Sequence, residues 1–134
     1  MTYGPQLSIT APAAGFVRVN GNVTVRNDGC TSDCTFNAFV RHINTGIQSI
    51  PAQDAALNNG LGNAGLDAVF PVSAGVNTFE IRLSRNSASG NLYSWWGVLT
   101  AEYTPYGSTG TGTLGASGLA AASEGPIDKE LPKR

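Results

Sequence analysis

Few residues of this 134-residue chain are of types that could do chemistry. It has one histidine, His42, two cysteines, Cys30 and Cys34, and two adjacent tryptophans, Trp95 and Trp96. A nucleophilic triad needs a histidine that is oriented by a carboxylate and lies beside a nucleophile. His42 lies in an alternating apolar segment, and the chain has no Gly-x-Ser-x-Gly motif. We therefore expect a structural or interface histidine and a protein that is not an enzyme.

The carboxylates do not indicate catalysis either. Glycoside hydrolysis requires two carboxyl groups that face each other across a cleft. Glu80 and Glu102 lie on the polar faces of two predicted strands, but Arg82 and Thr100 are equally near in the sequence. A solvated or salt-bridged face is the expected arrangement. The chain has no phosphate-binding or dinucleotide-binding motif, so we expect no cofactor.

Residues 27–34 contain the candidate metal ligands and both cysteines. Asp28 and Asp33 are weak calcium candidates, because calcium binds several oxygen ligands, but their spacing fits no specific motif. Ordinary turn residues are favoured. Cys30 and Cys34 are too few for a structural zinc site, so a small disulfide loop is favoured and a free pair stays open. A disulfide would place the protein in an oxidising compartment, extracellular or at a cell surface.

The overall composition excludes several partners. Only 13% of the residues are charged, the formal net charge is −1, and no cluster of Lys and Arg is present. Nucleic-acid binding needs such a cluster, so we expect no nucleic-acid partner. The apolar runs are too short to cross a bilayer, so we expect no membrane insertion.

The hydrophobic period predicts an all-β, antiparallel β-sandwich. Apolar residues alternate with polar ones over residues 17–25, 36–43, 78–84 and 95–103, a period of two that is typical of strands. A weaker strand is predicted at Ile47–Ile50, followed by a long loop over residues 51–67 that could hold a short strand near Ala55 to Leu57. We expect residues 1–107 to form the sandwich domain and residues 108–134 to form a flexible, Gly/Ser/Ala-rich tail.

The strand pattern assigns the two tryptophans to opposite faces. Trp95 shares a face with Leu99 and Tyr103, which predicts a core position. Trp96 shares the other face with Val98 and Thr100. Trp96 could pack under a loop, contact another subunit, or stack on a sugar.

A subunit contact is favoured over a sugar site because Val98 makes the surroundings of Trp96 apolar. Phe39 and Ile43, on the second face of their own strand, would extend that apolar patch. Tyr106 lies close in sequence and is a further interface or ligand candidate, and Tyr93 and Tyr103 could contribute to a surface on which a sugar stacks.

Three segments, in this order, resemble the jelly-roll superfamily of tumour necrosis factor and the complement globular head, especially its bacterial members: SITAPAAGFVRVNG, FPVSAGVNTFEIRLSRN and WWGVLTAEYTPYG. The resemblance implies a jelly-roll sandwich that packs as a homotrimer and binds ligands, receptors or surfaces without catalysis. We expect a secreted, self-assembling module for adhesion or surface assembly. The alternatives are a carbohydrate-binding module, which uses Trp96 and the 51–67 loop against a glycan ligand, and a virion or tail-fibre subunit.

Overall fold

The computed structural model describes residues 2–56, 59–86, 89–106 and 123–125. Within these ranges the chain forms strands and no helix. The strands are β1 (Thr2–Ala11), β2 (Gly15–Asp28), β3 (Thr35–His42), β4 (Ala52–Ala55), β5 (Gly60–Val72), β6 (Gly75–Arg85), β7 (Asn91–Pro105) and β8 (Ser123–Gly125). Sheet A has the order β1-β6-β3-β4, and sheet B has the order β5-β2-β7-β8. All pairings are antiparallel, which confirms the predicted all-β sandwich.

The core lies between the two sheets, because alternate residues of each strand point inward. Burying one large apolar side chain of this kind contributes about 1.5–3 kcal/mol. The fully buried apolar residues of β2, β3, β6 and β7 are Val17, Val19, Val23, Val25, Phe36, Ala38, Val40, Phe79, Ile81, Leu83 and Leu99. The alternation seen in the sequence therefore places the core as predicted.

The predicted loop over residues 51–67 is wrong. This segment contains β4 and the first part of β5, which pairs with β2 along its whole length. The period was hidden because the first inward side chains of β5 are small, at Gly62 and Ala64. Gly62 has no room for a larger residue, since an added Cβ would lie 2.7 Å from the Phe36 ring. β5 is an edge strand, which also explains how it accommodates Pro71.

The predicted strand at Ile47–Ile50 is also wrong. In this segment Gln48 forms a single bridge with Arg41, and no strand is present. Pro51 follows, which has no N–H to donate to the ladder. Regular pairing with β3 begins again in β4.

The predicted disulfide between Cys30 and Cys34 is confirmed. It closes the connection from β2 in sheet B to β3 in sheet A. Gly90, at the turn before β7, packs against this loop with φ of 87°. A Cβ at Gly90 would lie 2.8 Å from the Cys30 nitrogen, so the close approach requires glycine.

The jelly-roll winding and the superfamily resemblance stay predictions. The strand order shows only that each sheet pairs strands distant in sequence, as β2 does with β5 and β7. The division into a 1–107 domain and a 108–134 tail also stays a prediction. Residues 107–122 and 126–134 lie outside the described residues, and β8 pairs with β7 opposite Gly97–Leu99.

Candidate ligand-binding face

Both tryptophans lie on the outer surface of sheet B. Thr24 of β2 is paired with Trp96, but the next residue, Val25, is paired with Ser94. Trp95 is therefore the extra residue of a β-bulge, which offsets the alternation by one position. The prediction that Trp95 belongs to the core is wrong, because it is 40% exposed and Trp96 is 43% exposed. Ser94 takes the inward position and is fully buried.

Each tryptophan has polar neighbours. Thr24, opposite Trp96, donates a hydrogen bond from its hydroxyl to the side-chain oxygen of Asn63 on β5, at 3.3 Å. The guanidinium carbon of Arg26 lies 5.6 Å from the centre of the Trp95 ring, within the range of a cation–π contact. We call the outward residues of β5, β2 and β7 the tryptophan face. Its main side chains are Asn63, Asp67, Val69, Phe16, Arg18, Asn20, Asn22, Thr24, Arg26, Trp95, Trp96, Val98, Thr100 and Glu102.

The β2 residues at the centre of the tryptophan face are polar and uncharged. Asn20 has Thr100 as its partner on β7, and Asn22 has Gly65 and Val98 on its two sides. Neither asparagine side chain makes a hydrogen bond within the described part of the chain. Each side-chain amide has donors and acceptors that an incoming ligand can use.

Two ion pairs neutralise the arginines of this face. Arg18 donates two hydrogen bonds, at 3.0 and 2.6 Å, to the two carboxylate oxygens of Asp67. The hydrogen bond from Arg18 is the main reason why the pKa of Asp67 lies below its usual value. Arg26 donates to Asp28 at 2.8 Å. Glu102 lies opposite Arg18 on β7, so the face has no excess of positive charge.

A second aromatic pair occupies the opposite end of the tryptophan face. The rings of Phe16 and Tyr106 meet edge to face with centroids 4.6 Å apart, and both are more than two-fifths exposed. Pro71 lies opposite Phe16 on β5. Tyr106 and Pro71 also line a cleft of about 410 Å³, whose wall includes Asn44 and Thr45.

The predicted apolar patch around Trp96 is divided between the two outer faces. Val98 lies on the same face as Trp96 and is half-buried. Phe39 belongs to β3 in sheet A and points outward on the other side of the sandwich, where it is only 7% exposed. Ile43 follows the end of β3 and is 38% exposed. Phe39 and Ile43 therefore do not extend the surface around Trp96.

The structure does not bring the candidate carboxylates, Glu80 and Glu102, or the tyrosines Tyr93 and Tyr103 together in one site. Glu80 lies on the outer face of sheet A, where it accepts a hydrogen bond from Arg82, whereas Glu102 lies on sheet B. Tyr103 is a core residue whose hydroxyl donates to the Ala13 carbonyl at 3.1 Å. Tyr93 is buried, with 5% of its surface exposed. Glu80 and Glu102 thus do not face each other across a cleft.

His42 is a buried, hydrogen-bonded residue of sheet A. Its Nε2 lies 3.0 Å from the Asn77 side-chain oxygen, and its Nδ1 lies 2.9 Å from the Thr45 hydroxyl. The imidazole stacks on Phe79 with ring centres 4.8 Å apart. Burial lowers the pKa of His42, and the hydrogen bond to Asn77 opposes this only in part. Both ring nitrogens therefore have structural partners.

The weak calcium candidates are engaged with other groups. Asp28 is buried and forms the ion pair with Arg26. Asp33 has a positive φ of 46° and accepts a hydrogen bond from the Thr35 hydroxyl at 2.5 Å. Among the described residues, no group of three or more His, Cys, Asp or Glu side chains is placed to hold a metal ion.

Asn63 and the exposure of Trp95 could not be predicted from the sequence. Asn63 was missed because it lies in the segment predicted as a loop, although Leu66, Phe70 and Val72 continue a period of two beyond it. Trp95 was misplaced because a one-residue bulge leaves no mark in the hydrophobic pattern.

No helix of the described ranges is long and apolar enough to cross a membrane. No protein-family model matches the sequence, and no curated protein shows significant similarity to it. Function is therefore inferred from the tryptophan face itself.

Proposed function

We propose that this protein is a non-enzymatic, extracellular carbohydrate-binding module whose binding site is the tryptophan face. The observation that carries the proposal is the pair of half-exposed indole rings, Trp95 and Trp96, beside side-chain hydroxyls and amides on one sheet face. Exposed aromatic surface of this kind, bordered by polar groups, marks interaction sites.

The chemistry of a pyranose fits this arrangement. One face of a sugar ring is made of C–H groups and packs on the apolar face of an indole. Its hydroxyl groups both donate and accept hydrogen bonds, as do the side-chain amides of Asn22 and Asn63. The hydroxyl of Thr24, already bonded to Asn63 at 3.3 Å, offers a further partner directly opposite Trp96.

A protein interface is a poorer match for this face. Asn20 and Asn22 occupy its centre, and an apolar partner surface would bury their amides without hydrogen bonds. Each such unsatisfied group costs about 1–3 kcal/mol. A sugar supplies hydroxyl partners to the same amides and therefore avoids that cost.

The disulfide supports the extracellular setting. Cys30 and Cys34 are both oxidised, and disulfides persist mainly in oxidising compartments. The surface of the tryptophan face, which is polar with little net charge, is compatible with that setting.

The proposal is tested by electrophoresis through gels that contain neutral polysaccharides: β-glucan, xylan, mannan and glycol chitin. We expect one of them to retard the wild-type protein. Trp96→Ala should weaken binding by about tenfold or more, because it removes the indole ring on which the sugar packs. A tenfold change in affinity corresponds to about 1.4 kcal/mol. The matched control is Tyr3→Ala, which removes an aromatic side chain that is 53% exposed on the outer face of sheet A.

Three outcomes would contradict the proposal. The first is that no polysaccharide of the panel retards the wild-type protein. The second is that Trp96→Ala and Tyr3→Ala bind as well as the wild type. The third is that Trp96→Ser changes the solution mass measured by light scattering, which would make Trp96 an interface residue.

A second candidate function is self-association for surface assembly, with the homotrimer that the superfamily resemblance implies. It is favoured by three exposed isoleucines in the turn after β3: Ile43, Ile47 and Ile50, of which Ile50 is 90% exposed. Light scattering of the wild type and of Ile47→Ser/Ile50→Ser tests this candidate. A trimer that the double substitution dissociates would support it, and a monomeric wild type would contradict it.

A further inference from the structure

We infer that the ligand is an uncharged, linear oligosaccharide that lies along β2, from the tryptophans to the Phe16–Tyr106 pair. This inference rests on the proposed function and goes beyond it, because it specifies the charge, the shape and the direction of the ligand. It follows from the positions of the two aromatic pairs and from the residues between them.

The two aromatic pairs lie at opposite ends of one face. Trp96 is opposite Thr24, and Phe16 lies eight residues earlier on the same strand. At about 3.3 Å per residue, this separation is roughly 26 Å, which exceeds the length of a single sugar ring several times. A monosaccharide or a branched terminal sugar would contact one pair, whereas a linear chain would contact both.

The residues between the two pairs suit the middle of such a chain. The unbonded amides of Asn20 and Asn22 and the hydroxyl of Thr100 lie in adjacent rows between Trp96 and Phe16. Beside Asn22, Gly65 on β5 leaves open space for a ligand. These groups can hydrogen-bond the hydroxyls of successive sugar units.

The charges of the face favour an uncharged chain. Arg18 is held by both oxygens of Asp67, and Arg26 is held by Asp28, so neither guanidinium is available as a free cation. Glu102 would repel uronate or sulfate groups placed next to Arg18. Acidic polysaccharides therefore find no complementary charge on this path.

The Phe16–Tyr106 end also has space for a terminal sugar unit. Tyr106 stands between the sheet face and the cleft of about 410 Å³. Such a volume lies within the range of small-molecule sites. Asn44 and Thr45 contribute polar side chains to its wall, and Pro71 and Tyr106 contribute apolar surface.

The test is calorimetric titration with the disaccharide, tetrasaccharide and hexasaccharide of the polysaccharide that binds in the gels. For the wild type, we expect affinity to rise about tenfold from the disaccharide to the hexasaccharide, because the longer chain adds the second aromatic contact. Tyr106→Ala should remove this rise and leave disaccharide binding unchanged. Tyr3→Ala, which removes an exposed aromatic side chain on the outer face of sheet A, is the matched control. Polygalacturonate should bind more weakly than the neutral polymer.

The outcomes separate this inference from the proposed function. Equal affinity for the disaccharide and the hexasaccharide, or equal loss for both with Tyr106→Ala, overturns the inference while sugar binding at the tryptophans stands. Tighter binding of polygalacturonate overturns it as well. If no sugar of the panel binds, the proposed function and the inference both fail.

Discussion

The outer faces of the two sheets contain similar residue types, but the two faces differ in how far these side chains are buried and hydrogen-bonded. On sheet A, Phe39 is 7% exposed, Glu80 pairs with Arg82, and the Arg82 guanidinium lies 4.9 Å from the centre of the Tyr3 ring. Glu80, Arg82 and Tyr3 thus contact one another on that face. On sheet B, Trp95 and Trp96 are about two-fifths exposed. The side-chain amides of Asn20 and Asn22 make no hydrogen bond within the described residues.

The comparison indicates which of the two outer faces is better suited to bind a ligand. A face whose aromatic and polar side chains are already paired gains little from a ligand, because each new contact replaces an existing one. The tryptophan face keeps aromatic surface and hydrogen-bonding groups available to an incoming partner. The bulge at Trp95 increases this difference, because it puts a second indole ring on the same side.

The largest effect is expected when deletion of the bulge residue Trp95 is compared with deletion of another residue of β7, Thr100. Deletion of Trp95 should leave a regular ladder with Ser94 opposite Val25 and Trp96 opposite Thr24. The free energy of unfolding should change by about 1 kcal/mol or less, as for a surface change. Deletion of Thr100 should shift the register and turn Ala101 and the rest of β7 to the wrong face.

For the Thr100 deletion we expect a loss of more than about 4 kcal/mol, or no folded protein at all. Urea denaturation and circular dichroism of the two deletion variants provide the comparison. If both deletions were equally damaging, Trp95 would be part of the folding register and not an added surface residue.

A pair of substitutions separates the two outer faces. Phe39→Ala should lower the free energy of unfolding by about 3 kcal/mol, because it removes a nearly buried ring. Trp96→Ala should lower it by about 1 kcal/mol or less, as expected for a half-exposed site. Denaturant titrations measure both values. Reversed magnitudes would mean that Trp96 is a structural residue and that sheet A has the more open face.

The disulfide closes a small loop in the connection between the two sheets, so its removal should affect stability without distinguishing their faces. Cys30→Ser/Cys34→Ser should lower the free energy of unfolding by about 2 kcal/mol, the chain-entropy value for so short a loop. Polysaccharide affinity should stay unchanged, because the loop lies outside the tryptophan face. Loss of affinity at retained stability would show that the loop belongs to the binding site.

The smallest expected effect is a pH dependence from His42. Its pKa is lowered in the folded state, so the unfolded chain binds the proton more readily. The stabilisation is fully present above the usual value of 6.5 and is lost as the pH falls from there through the folded pKa. Thermal melts between neutral and mildly acidic pH should record a falling Tm. His42→Gln should remove this part of the pH dependence, and an unchanged profile would contradict the assignment.

Much of the sandwich could be predicted from alternation alone. Val17, Val19, Val23 and Val25 lie in the core as their spacing predicts, and the cysteine spacing predicts the disulfide. The first part of β5 was missed because Gly62 and Ala64 carry almost no hydrophobic signal. The small size of Gly62 is set by the nearby ring of Phe36, a contact made across the two sheets.

The sequence by itself determined which residues alternate along each strand, because successive side chains of an extended chain point to opposite sides. It thereby determined the core face of β2 and the polar row at Asn20 and Asn22. Only the tertiary structure decided that Trp95 and Trp96 share a surface. That outcome depends on which residue of β7 stands opposite Val25, and this register is set by the packing of two strands distant in sequence.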